Sequence, residues 1–77
     1  MPKVFEKDGF QFYFYSNDHV PIHVHVSYAG GEAVFVVGES IVLRESRGMG
    51  TRELSKAEVL AVEHKELIIS KWHEHLG

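Results

Sequence analysis

The sequence predicts an α+β fold: a two-layer, mainly antiparallel sheet of about five short strands packed on one C-terminal helix. Three observations predict it. Short apolar/polar alternations fill the first half of the chain, broken by Gly, Pro, Asn and Asp. Apolar residues recur at i, i+3, i+4 spacing in the last third. No repeat, low-complexity run or linker divides the chain, so residues 1–77 read as a single domain.

The first strand is expected over about 3–6, and Lys7-Asp8-Gly9 carries the Asp-Gly pair that favours a tight hairpin through positive φ. In the second strand, 10–15, alternation places Phe10, Phe12 and Phe14 on one face, a core face, and Gln11, Tyr13 and Tyr15 on the other. Residues 16–20 bond readily to their own backbone and end at Pro21, which predicts an ordered turn. The third strand, 21–28, sets Ile22, Val24, Val26 and Tyr28 against His23, His25 and Ser27. After the turn Ala29-Gly30-Gly31, the strand 32–37 is apolar at both parities and should be central. A fifth strand, 40–44, leads into a Gly-rich connection, residues 45–52.

Ser55 with Glu58 three residues later is a capping-box signature, so one helix is expected over about 55–75. Its buried stripe is Ala57, Leu60, Ala61, His64, Leu67, Ile68 and Trp72, with His64 packed at the core edge. Val59, Val62, Ile69 and Leu76 widen the apolar set beyond that stripe.

A chain of 77 residues without Cys has neither disulfides nor a thiolate zinc cluster to supplement a small core, which favours self-association or a partner. The Met1-Pro2-Lys3 start runs straight into a strand pattern, and no stretch has the length and apolarity of a signal peptide or membrane span, so a cytoplasmic protein with no membrane contact is expected. A net charge of −3 argues against a general nucleic-acid coat. No Cys nucleophile, nucleophile elbow or His-Glu-x-x-His motif is present, which sets those enzyme classes aside.

Six His in so short a chain stand out. Residues two apart on a strand lie roughly 6.6–7 Å apart, a separation from which His23 and His25 can converge on one ion. His19, with Asp18 beside it, would complete three ligands for zinc or another divalent metal if Val20-Pro21 bends enough. A metal-free site in which His23 or His25 acts as acid or base is the alternative, and a plain solvated or dimer-facing sheet face accounts for the same residues. His73 and His75 do not form a similar pair, because residues two apart on a helix point about 200° apart. Arg44, Arg47, Arg52 and Lys56 around Gly48 and Gly50 offer a weaker phosphate or RNA contact.

The run Ser16-Asn17-Asp18-His19-Val20-Pro21-Ile22-His23-Val24-His25-Val26 resembles a small prokaryotic family known as a domain of unknown function, four-one-six-zero in its numbering. The likeness extends to the aromatic strand before the Asp-His turn, the Glu32-Ala33 strand start and a C-terminal helix holding Trp72. It implies a component of toxin–antitoxin modules that works beside a second small protein, and it emphasises Asp18, His19, Pro21, His23 and His25. Ile22 and Val24 depart from the family pattern, which has a second Pro and an aromatic at those positions.

Two functions follow as expectations. The first is a small interaction protein of a bacterial two-gene module, binding a small protein partner or a second copy through the His/Tyr face, with Asn17, Asp18, His19, Pro21, His23 and His25 as binding residues. The second is a divalent-metal or His-dependent hydrolase, such as an RNA-cutting toxin, with catalytic candidates His23, His25, Tyr13, Tyr15 and Arg44 and metal candidates Asp18, His19, His23 and His25. The residues leave open whether the chain is an enzyme.

Overall fold

Dipeptides able to adopt positive φ close two hairpins. In the computed structural model, which describes residues 2–76, Asp8 (φ 54°) and Gly9 (φ 85°) join β1 (Lys3–Lys7) to β2 (Phe10–Tyr13). Ala29 (φ 48°) and Gly30 (φ 85°) join β3 (His23–Tyr28) to β4 (Gly31–Val37) in the same way. Positive φ at both central residues matches the twist of paired strands. Residues 38–40 link β4 to β5 (Ile41–Arg47), and the five strands lie in chain order, each antiparallel to the next. The β2–β3 connection, residues 14–22, is the one long link between strands.

The strand limits differ from expectation around that link. β2 stops at Tyr13 rather than Tyr15 because the Tyr15 N–H donates to Asp18 Oδ2 (2.9 Å) and the Asp18 N–H to the Tyr15 carbonyl (3.1 Å). Local bonds of this kind replace ladder bonds. β3 starts at His23 rather than Pro21, and the Val20–Pro21 peptide bond is cis. β5 starts at Ile41 and continues to Arg47, with an irregular register opposite Val34 and Phe35.

One face of the sheet is the core, as the three-Phe alternation predicts. Phe10, Phe12, Val24, Val26 and Phe35 pack with Phe14, Ala57, Leu60, Ala61, Ile68 and Trp72 in one buried cluster. Each large side chain contributes roughly 1.5–3 kcal/mol on burial.

The single helix expected over 55–75 is two helices, α1 (Thr51–Glu63) and α2 (Lys65–Leu76). Helix α1 begins four residues before Ser55 because Glu53 Oε1 accepts the Gly50 N–H (3.0 Å) at the N-terminus. The break falls at His64. Its Nδ1–H donates to the Leu60 carbonyl (2.8 Å), which also keeps the bond from the His64 backbone N–H (3.0 Å), and its ring stacks on Phe5 of β1 at 4.0 Å. His64 is therefore a core-edge residue, as the stripe predicts, whereas Leu67 lies at the rim, 37% exposed.

Among the described residues both helices pack on the core face, and Trp72 of α2 also reaches His23 at one end of the other face. Strand register writes that outer face as three rows. His23, Val36 and Val42 form the first, Tyr13, His25, Val34 and Glu45 the second, and Gln11, Ser27, Glu32 and Arg47 the third. The face thus grades from apolar beside the 14–22 loop to charged at the far end.

Candidate functional site

His23 and His25 share the outer face, as period-two alternation requires, but the surroundings are drier than the sequence suggests. His23 is 7% exposed, with the Trp72 ring edge-on at 5.3 Å, and Trp72 also meets Phe14 at 5.3 Å. His25 lies between the stacked Tyr13 ring (5.5 Å) and the edge-on Tyr15 ring (4.5 Å), with His23 5.2 Å away. Tyr13 is buried, while Tyr15 has left the strand and is 41% exposed.

The turn brings a carboxylate to this pair. Asp18 Oδ1 is 3.2 Å from His23 Nε2, and Oδ2 is 3.2 Å from His25 Nε2. Asp18, His23 and His25 each present one ligand-type atom, all within 4.8 Å of one another. Of the two turn candidates that the sequence offers beside His23 and His25, His19 and Asp18, the structure brings Asp18 to the pair. His19 is exposed and outside the cluster, because the turn that anchors Asp18 on the Tyr15 N–H points the next side chain outward. Asn17 is also exposed, at the turn, and Pro21 takes part through its carbonyl, which accepts the His23 Nδ1–H at 2.8 Å. Trp72 is the neighbour that sequence reasoning missed; no spacing signal links a helix residue to a strand end.

Charge at the cluster follows from these contacts. Burial pushes the Asp18 carboxyl up, but the Tyr15 N–H, the His25 hydrogen bond and the charges of His25 and His23 outweigh it and hold the carboxyl below its ordinary range. Asp18 is a carboxylate. With Nδ1–H of His23 committed to Pro21, its Nε2 faces that carboxylate either as a donor or as a lone pair. Two lone-pair groups at this distance repel, so the geometry asks for a cation between them, a proton or a metal ion. Tyr13 is pushed up to about 12, first by burial and then by hydrogen bonding with Tyr15, so it remains a neutral phenol.

The other predicted contacts do not converge. Arg44 is exposed on β5, two strands from β3, roughly 10 Å across the sheet at about 4.8 Å per strand. It does not belong to this site. Arg47 pairs with Glu32 (3.1 Å), Lys56 lies 3.6 Å from Asp8, and the Gly50 N–H is taken by Glu53, so these groups of the Arg/Gly connection are engaged within the chain. No helix among the described residues is long and apolar enough to cross a membrane.

Comparison with known proteins adds a family. Neither a curated protein nor a solved structure matches the chain. Residues 9–73, spanning β2 to α2 and all of Asp18, His23 and His25, match the model of the family described as Domain of unknown function (DUF4160), and the chain belongs to that family.

Proposed function

We propose that this chain is a small interaction protein that binds a protein partner on the outer face of its sheet, around the Asp18/His23/His25 cluster. The observation that carries the reading is the uncovered face itself. Half-buried Val34 and Val36 adjoin Val42 (54% exposed), while Tyr15 and Val20 (78% exposed) stand on the loop that frames His25. Apolar groups gathered on one face of a small domain mark association surfaces. The exposed Val59 and Val62 of α1 form a weaker patch, interrupted by Glu58, Glu63 and Glu66.

Burial weighs against the hydrolase alternative. The side chains of Asp18 and His23 are 10% and 9% exposed, and a general acid or base must come within hydrogen-bond reach of its substrate. Little of either side chain is open to a phosphodiester, and His25 is only 16% exposed. The partner reading agrees with a cytoplasmic two-gene module of toxin–antitoxin type, in which the second gene encodes the partner.

The test is co-expression with the products of the neighbouring genes, followed by hydrogen exchange on any complex. Protection over residues 14–22, β3 and β4 is expected. A chain that stays monomeric at high concentration and binds neither neighbour would contradict the reading.

A further inference from the structure

We infer that Asp18, His23 and His25 form a binding site for one divalent transition-metal ion, with zinc as the reference occupant. The inference is independent of partner binding, because every group it uses belongs to the isolated chain.

Distance is the first argument. Asp18 Oδ1 lies 3.2 Å from His23 Nε2 and 3.3 Å from His25 Nε2, and Oδ2 lies 3.2 Å from His25 Nε2. Charge-assisted N–H···O bonds run about 2.7–2.9 Å and ordinary ones reach about 3.2 Å, so these contacts sit at the long end for an imidazole–carboxylate network. Ligands about 2.0–2.1 Å from a tetrahedral ion sit about 3.3–3.4 Å from each other, and the Oδ1 distances to both imidazoles match that edge.

Orientation is the second. A ligating histidine generally donates its other ring N–H to a carbonyl or carboxylate, which fixes the tautomer. His23 does so, Nδ1–H to the Pro21 carbonyl at 2.8 Å, and its Nε2 is thereby aimed at Asp18. The carboxylate is fixed in the same manner, since Oδ2 accepts the Tyr15 N–H at 2.9 Å and also lies 3.2 Å from His25 Nε2, while Oδ1 lies 3.2 Å from His23 Nε2 and 3.3 Å from His25 Nε2. Tyr13 and Tyr15 hold the His25 ring from two sides.

The donor set identifies the class of ion. Two imidazoles and one carboxylate, without thiolate, suit zinc, iron(II), cobalt(II) or manganese(II) rather than copper(I), and the nitrogens disfavour calcium and magnesium. Two ligands come from β3 and one from the 14–22 loop, so the ion ties the long connection to the sheet. Its remaining position takes water or a donor from a bound partner.

Zinc chloride titrated into the full chain, read by calorimetry, thermal unfolding and the imidazole NMR signals, tests the site. One equivalent is expected to bind, raise the unfolding midpoint and shift or broaden His23 and His25. Asp18→Asn and His25→Gln are expected to weaken binding by more than about 100-fold, beyond the 10–100-fold typical of losing an outer-shell partner. A variant combining His19→Ala, His73→Ala and His75→Ala should bind as the wild type does. Absence of binding by folded wild type at excess zinc would overturn the inference. So would binding that the triple variant loses, an outcome that stands even where Asp18→Asn fails to fold.

Discussion

At the scale of residues, Asp18 organises the site: one carboxylate meets two imidazoles and a backbone N–H. Its folded pKa is depressed below the unfolded value of about 3.9. The stability it contributes is therefore present above about pH 4 and lost as pH falls through the lower folded value. Asp18→Asn should destabilise the chain by about 1.5–3 kcal/mol at pH 7, the range for hydrogen bonds to charged groups, and this difference should shrink in urea unfolding below pH 4. Tyr13 carries the opposite sign. Held up to about 12, it keeps its proton where the unfolded chain has lost one, so its contribution is present below about pH 10 and fades as pH rises toward 12. Wild type should lose stability relative to Tyr13→Phe over that window. The two histidines were legible from alternation alone. Which of the two named turn residues, His19 or Asp18, joins them was not, because that depends on how residues 14–22 fold back, a path that includes the bond between Asp18 and the Tyr15 N–H.

At the scale of elements, turn chemistry was the most readable feature. Asp8-Gly9 gives the hairpin its sequence calls for, and the β2 alternation puts its Phe residues inside. Gly31 adds a constraint that no local pattern carries. A Cβ there would lie 2.5 Å from the Gly48 carbonyl oxygen, whereas one at Gly30 would meet nothing within 4 Å. Gly31→Ala should therefore cost about 1–3 kcal/mol through forced backbone movement, and Gly30→Ala, which suffers only from positive φ, about 1 kcal/mol in denaturant titrations. The helix was legible as a stripe but not as two pieces, and the break falls where His64 stacks on Phe5, a residue far away in sequence. Loss of the stack in His64→Ala should destabilise the fold by about 0.5–1.5 kcal/mol, measured by urea unfolding.

At the scale of the whole molecule, helices on one face make the other available. The sequence patterns indicated two layers and a polar aromatic face. They did not indicate that its end beside the cluster is apolar, because the row of His23, Val36 and Val42 exists only once strand register joins three separate segments. Val42 and Val62 are each 54% exposed, on the outer face and on α1 respectively, so a charge at either position should alter stability by no more than about 0.5 kcal/mol. Comparing Val42→Asp with Val62→Asp in binding to the co-expressed neighbour is the most direct test of the outer face as the recognition surface. Val42→Asp should abolish the complex and Val62→Asp should leave it intact; the reverse pattern would place the partner on the helical side and contradict the proposed function.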